Sequence, residues 1–273
     1  MSDVSIVVVA YNAMPWVERA LESVQGNETV VVDHGSTDDT VACVRERFPE
    51  AVIVEEENRG LAFGWNTGVA RTSGRYVLFL NADAWMHDGA LDALVAFADA
   101  HPDAAVVGPR LRNPDGSLQR SVRGFPTLWR IATEYLFLRK LAPRTRALNA
   151  FYAGGFDHDD VAEAEFLMGA VLLVRRDAIE QVGPADDGFF LFSEETDWCY
   201  RFREAGWKVL FFPGAEATHV LGASHQGRML AENVRSQLRF LEKHHGKAYA
   251  RRARWIFLLG LLLRRRLDVI RAL

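Results

Sequence analysis

Asn81-Ala82-Asp83 closes an apolar run in the stretch R-Y-V-L-F-L-N-A-D-A-W. A buried parallel strand delivers such an aspartate at its carboxyl end, where open α/β sheets bind ligands, and a carboxylate there suits a divalent cation held against phosphates. The structural alternative is an Asn/Asp turn closing a core strand. Asp33 follows the apolar run 29–32 in the same way, placed either to accept a hydrogen bond from a base or ribose or to cap its own turn. Glu194, Glu195 and Asp197 follow a third apolar run in F-F-L-F-S-E-E-T-D-W. Acids so crowded repel one another, so a cation, a partner or a helix dipole must compensate, and one carboxyl can be raised toward a general base. Glu194 and Asp197, at i and i+3, share a helical face while Glu195 points elsewhere. His219, in G-A-E-A-T-H-V-L-G-A-S, offers an imidazole that could complete a metal site with Asp83, or a structural histidine.

These residues need elements to position them. Strand-like and helix-like stretches alternate over the first half of the chain, the pattern of a mostly parallel α/β sheet covered by helices. Residues 5–10, 29–32, 51–54, 76–81 and 105–107 read as strands, the last ending at Gly108-Pro109. Between them, residues 15–24, a turn-capped helix entered through Ser36, Thr37 and Asp38, residues 61–70 and residues 87–100 read as helices. Asn58, Gly60 and Asn66 border a loose glycine loop that matches neither the phosphate-binding P-loop nor the dinucleotide fingerprint. Residues 111–165 read as loops and short helices over one face, before an apolar run at 166–174. Residues 209–212 read as a strand punctuated by Pro213-Gly214. If the runs before Asp33, Asp83 and Glu194 share one parallel sheet, their ends converge on one crevice.

With 273 residues and 49% hydrophobic content the chain can bury a large core, and a net charge of −4 with pI near 6.1 gives no signature of nucleic-acid binding. Basic residues instead gather after position 228. The two cysteines, Cys43 and Cys199, have neither zinc nor redox spacing, which fits a reducing compartment. The opening M-S-D-V-S-I-V-V-V-A lacks the positive charge of an export signal, and the apolar run at 255–263 falls short of the roughly 20 residues of a spanning helix.

The motifs S-I-V-V-V-A-Y-N, V-V-D-H-G-S-T-D, the N-R-G loop with Asn66, L-N-A-D, F-L-M-G-A-V-L-L-V-R-R, E-E-T-D-W-C-Y-R and the closing A-G-W-K-V-L-F-F-P-G-A-E-A-T-H stand in one order over about residues 4–225. Together they resemble the family 2 inverting glycosyltransferases of GT-A fold, and within them the rhamnosyltransferase-like enzymes of bacterial cell-wall and surface polysaccharide. The resemblance implies a Rossmann-like GT-A domain over residues 1–225 and a basic, helical extension over 226–273. It implies a donor site formed by Ala10, Tyr11, Asn12, Asp33, Asn58, Gly60, Asn66, Asn81, Ala82 and Asp83. A divalent cation, Mg²⁺ or Mn²⁺, would be held by Asp83 and His219. Asn81 stands where the family's metal-binding motif usually has its first acid, so the metal contact moves onto Asp83. Glu194-Glu195 matches the family's acidic pair, with Glu195 as base and Glu194 and Asp197 orienting it. The implied donor is a nucleoside-diphosphate sugar, dTDP- or UDP-linked, and the acceptor a glycan or a polyprenyl-linked saccharide.

In the tail, R-R-A-R-W-I-F-L-L-G-L-L-L-R-R-R sets Trp255 and an apolar stretch between arginine clusters. Such a segment suits the interface of an anionic membrane, and hence a cytoplasmic protein at the inner face of the cell membrane. A helix packed on the catalytic domain, or a dimer interface, is the alternative. Two other function classes compete with sugar transfer. A nucleotidyltransferase would need a basic glycine-rich loop after the first strand, and Tyr11-Asn12-Ala13-Met14-Pro15 offers none. A sugar-nucleotide binding module without activity would have no need of the Glu194-Glu195 pair.

Overall fold

The structure, a computed structural model, describes residues 3–142, 145, 147–220 and 229–273. The first half follows the alternation expected of it: β1 (Val4–Ala10), α1 (Trp16–Glu22), β2 (Glu28–Asp33), α2 (Thr40–Arg47), β3 (Val52–Glu55), α3 (Leu61–Val69) and β4 (Tyr76–Asn81). A short β5 (Ala84–Met86) leaves directly from Asp83, followed by α4 (Ala90–Ala100) and β6 (Ala104–Arg112). The segment expected to be irregular carries β7 (Leu118–Gln119), β8 (Val122–Arg123), α5 (Leu128–Tyr135) and β9 (Ala162–Glu163). Then come β10 (Phe166–Leu167), β11 (Val171–Arg175), α6 (Arg176–Val182), α7 (Glu194–Glu204), β12 (Lys208–His219), and three closing helices, α8 (Met229–His245), α9 (Lys247–Leu263) and α10 (Leu267–Ala272).

The main sheet runs β3-β2-β1-β4-β11-β6-β12-β5, with β7 on β6 and β9 on β12. The first four strands are mutually parallel, as are β6 and β12, whereas β11 opposes both its neighbours and β5 opposes β12. Helices cover both faces, which is why β1 reads V-S-I-V-V-V-A with little alternation. Ile6, Val8 and Ala10 enter one apolar cluster, and Val7 enters the other with Phe79, Trp65 and Trp198.

Three expectations are corrected here. The strand read at 105–107 continues through Gly108-Pro109 to Arg112, and the strand read at 209–212 continues through Pro213-Gly214 to His219. The two strands pair in parallel, and a bulge in β12 between Phe212 and Glu216 sits beside Pro109, where the ladder lacks a donor. Residues 189–192, expected to be a strand leading into the acids, form an irregular, bent segment. Among the described residues no helix is long and apolar enough to cross a membrane. The expected boundary at 225/226 lies outside the described residues.

Candidate active site

Strand register brings the donor-side residues to one edge. Ala10 pairs with Asp33, Asp33 with Glu55, and Val9 with Asn81, so β1, β2, β3 and β4 deliver Tyr11-Asn12, Asp33, Asn58-Gly60 and Asn81-Ala82-Asp83 together. The loop after β1 is fastened to the loop after β2. Asn12, held at φ +49°, donates its backbone N–H to Ser36 Oγ (2.9 Å) and accepts the Thr37 N–H (2.8 Å). Asp38 accepts from the N–H groups of Met14 and Thr40, an aspartate spanning both loops. Asp33 is buried, and its carboxylate accepts from the N–H groups of Gly35 (3.0 Å) and Ser36 (2.9 Å) and from Ser36 Oγ. Tyr11 remains exposed at the mouth of this edge.

Asp83 and His219 meet across β5 and β12, whose antiparallel pairing sets His219 opposite Ala84. Both side chains are largely buried, with His219 Nε2 3.5 Å from Asp83 Oδ1. Gln119 fixes the imidazole. Its amide nitrogen donates to Asn113 Oδ1 (2.8 Å) and to the His219 carbonyl (3.1 Å), so its oxygen must face His219 Nδ1 at 2.7 Å and accept a proton from it. Nε2 is then the basic nitrogen, turned toward Asp83. One carboxylate oxygen and one oriented imidazole fit a divalent cation whose other ligands come from a diphosphate and water. Among the described residues no group of three or more His, Cys, Asp or Glu could hold a metal without such help.

The acidic helix arrives by a different route from the one expected. Asn66 of α3 exchanges two hydrogen bonds with the Ala185 backbone (2.8 and 3.0 Å), and the Phe190 carbonyl accepts the Leu61 N–H (2.9 Å). Gly60, at φ +102°, lies so close beneath Phe190 that a methyl group would strike its carbonyl oxygen. Thus Asn58, which accepts the Gly60 N–H, Gly60 and Asn66 hold the loop that leads into α7. Phe192 and Ser193 take left-handed conformations (φ +65° and +66°), local strain of a kind that gathers at functional sites.

Glu194 and Glu195 begin α7 with the positive end of its dipole beneath them. Glu194 is buried, and desolvation, with the neighbouring Glu195 charge added, pushes its carboxyl well above the usual range. Burial raises Glu195 to about 7, against the lowering pull of backbone N–H groups and of the Arg123 charge. Its side chain crosses Gly169, with Trp65 on the same floor. One oxygen of each glutamate is buried without a partner. Glu195 is the more accessible of the two, and a base near neutrality is effective at neutral pH.

Asp197 stands apart from that pair, which corrects its grouping with the residues that orient Glu195. Its fully buried carboxylate meets Arg201 (2.9 Å), Lys243 (2.7 Å) and His244 (2.8 Å). Hydrogen bonds from His244 and Lys243 outweigh desolvation and hold it down to about 2. It ties α7 to α8. Sequence reading missed Gln119 and Arg123, which occupy short strands inside the segment expected to be irregular. A cavity of 720 Å³ is bounded by α5, Glu165, Tyr200 and His245 and does not reach Asp83 or Glu195.

The family described as Glycosyl transferase family 2 matches residues 5–183. An N-acetylglucosaminyl-diphospho-decaprenol L-rhamnosyltransferase of Mycobacterium tuberculosis is 30% identical over 98% of this chain and 94% of its own length. The fold is shared with a mannosyltransferase from Pyrobaculum calidifontis solved with GDP-Man and Mn²⁺ (TM-score 0.62, 18% identity, 96% of this chain and 73% of that one). It is shared also with GalNAc-T7 solved with UDP, GalNAc and Mn²⁺ (TM-score 0.62, 17% identity, 89% and 48%). A sheet edge that gathers Asp33, Asp83 and His219, a buried acidic pair opening α7 and a family match to about two thirds of the sequence agree: the chain is a glycosyltransferase and belongs to glycosyl transferase family 2.

Proposed function

We propose that the protein transfers a sugar, rhamnose in the first instance, from a dTDP- or UDP-linked donor to a hydroxyl of a prenyl-diphosphate-linked saccharide, with inversion at the anomeric carbon. The relative named for L-rhamnosyl transfer to a diphospho-decaprenol acceptor supports the donor and acceptor classes. The observation that carries the chemistry is Glu195: a carboxyl raised to about 7, with one unpartnered oxygen, at the head of a helix pinned to the donor-side loops. Asp33 and exposed Tyr11 take the nucleoside, with Ala10 and the Asn12 clamp shaping their edge. Asp83 and His219 are the residues that would hold Mg²⁺ or Mn²⁺, with Asn81 and Ala82 setting the turn between β4 and β5. Such a cation, when bound, offsets the charge growing on the departing diphosphate.

The acceptor oxygen attacks the anomeric carbon on the face opposite the diphosphate. The carbon–oxygen bond to the diphosphate breaks and its electron pair leaves with the nucleoside diphosphate. Glu195 takes the proton of the attacking hydroxyl. Burial pushes the Glu194 carboxyl well above the usual range, which favours its neutral form beside Glu195. Glu195→Gln is expected to abolish transfer and to leave UDP or dTDP binding with Mn²⁺ within about twofold; near wild-type turnover by that variant would reject Glu195 as the base.

The outer face of α9 supports a peripheral place on the inner membrane surface. Trp255, Leu259, Leu262 and Leu263 recur at helical spacing and are exposed, Trp255 by 74%, with exposed Arg251, Arg252 and Arg265 at the two ends of the stripe. Apolar side chains edged by cations match an anionic interface, where a lipid-linked acceptor resides.

A further inference from the structure

Arg123 is a guanidinium left over when the ion pairs around it have formed. Pairing of β8 with β10 sets it opposite Phe166, and it lies 4.8 Å over the ring of Tyr152. It donates one hydrogen bond, from Nη1 to the neighbouring Val122 carbonyl (3.3 Å). Among the described residues no carboxylate comes within ion-pair distance of it, and residues 1–2, 143–144, 146 and 221–228 contain no Asp or Glu. Its neighbours are matched. Arg130 makes two bonds to Glu165, Arg139 pairs with Glu134 (2.5 Å), and Arg264 shares Glu134 at 3.7 Å. Four guanidiniums therefore surround two carboxylates.

Tyr152, on whose ring Arg123 lies, lines a 360 Å³ cavity whose walls also include Arg130, Glu134, Tyr135, Phe192 and Arg264. Arg264 Nε is buried beside it without a hydrogen-bond partner. The cavity reaches the acidic helix through Phe192, two residues before Glu194, and it reaches the end of α9 through Arg264. A cation withdrawn from water without an anion is costly, and a guanidinium stacked on an aromatic ring is the side chain best shaped to grip phosphate. Apolar walls beside the charge suit the first carbons of a prenyl chain.

We infer that Arg123 and the cavity beside Tyr152 form the phosphate subsite for the acceptor, gripping the diphosphate between its sugar and its lipid while the sugar hydroxyl faces Glu195. The inference rests on the acceptor class proposed above. The donor carries a diphosphate too, so the test separates the two. Geranyl diphosphate, which has no sugar to glycosylate, is the probe for the acceptor side, and UDP with Mn²⁺ the probe for the donor side. By calorimetry, Arg123→Gln is expected to weaken geranyl diphosphate binding about tenfold, Arg123→Lys less, and both to leave UDP binding within about twofold. Unchanged geranyl diphosphate affinity, or an equal loss of UDP affinity, overturns the assignment. The unaltered protein gives an independent reading: it should bind geranyl diphosphate at least about tenfold more tightly than geraniol, and equal binding also overturns the subsite. None of these measurements requires turnover, so a failure of Glu195 as the base would leave them standing.

Discussion

A general base must have lost its proton when the acceptor arrives, and Glu195, raised to about 7, sits at that boundary in neutral solution. The rate at low acceptor concentration should climb with pH and level off above about 7, falling tenfold per unit on the acid side; a flat profile between pH 5.5 and 8 would exclude a single base of this kind. The stability consequence has the opposite sense. A carboxyl whose folded pKa lies above its unfolded value favours folding at low pH, and that contribution disappears as pH rises through the folded pKa. Glu195→Gln should therefore gain on the wild type by on the order of 1–3 kcal/mol at pH 8 and by little at pH 5, read from denaturant melts. Gln119 makes a second testable point. Gln119→Leu frees the imidazole of His219 to rotate, and Mn²⁺ binding in the presence of UDP, followed by electron paramagnetic resonance, should weaken 10- to 100-fold. Asp83, His219 and the Glu194-Glu195 pair were legible because each belongs to a motif with fixed neighbours. Gln119 was not, since its meaning comes from a histidine one hundred residues later, and Asp197 misled because its partners on α8 leave no trace beside it in the sequence.

At the scale of elements, the first four parallel strands could be read from the sequence because β1, β2 and β4 are buried on both faces, β3 is a short apolar edge strand, and turn residues bound each. The later strands could not. β6 and β12 run through Pro109 and Pro213-Gly214, local stop signals overridden by pairing with each other across a bulge. The apolar residues before Glu194 resemble a strand, yet Phe189 joins the helical core and Phe190 anchors the loop to α3 through its backbone. Gly60 is the place to test that anchor. Gly60→Ala combines a positive φ with a clash against the Phe190 carbonyl, so it should cost on the order of 2–3 kcal/mol and disturb α7. Proteolysis within residues 183–192 should accelerate; an equally resistant loop would show that α3 does not support the acidic helix.

The whole molecule is bound together through its tail. α8 and α9 share a core with Ile131 and Tyr135 of α5, and Asp197 links α7 to Lys243 by an ion pair and to His244 by a hydrogen bond. Deleting the tail would remove the buried Ala253, Phe257 and Leu261 and uncover Ile131 and Tyr135, so membrane contact is better tested on the outer stripe. Trp255→Ser with Leu259→Ser and Leu262→Ser should keep the fold and lose flotation with vesicles containing phosphatidylglycerol; unchanged flotation would refute the contact, and a change from dimer to monomer without any vesicle effect would assign the stripe to a second copy. Asp197→Asn should cost about 3 kcal/mol near neutral pH, because Lys243 and Arg201 keep their charge without an anion. That difference should shrink as pH falls below about 4 toward 2, where the aspartate of the wild type is itself protonated. The order of strands also bears on synthesis at the ribosome. β12 is the last strand made, yet it lies inside the sheet, between β6 and β5. A growing chain thus carries the open edge of β6 and an unpaired β5 through more than a third of its elongation, and Asp83 waits about half of it for His219. Chains halted before residue 208 should bind chaperones and aggregate, whereas release of the full length should close the sheet and the cation site in one late event.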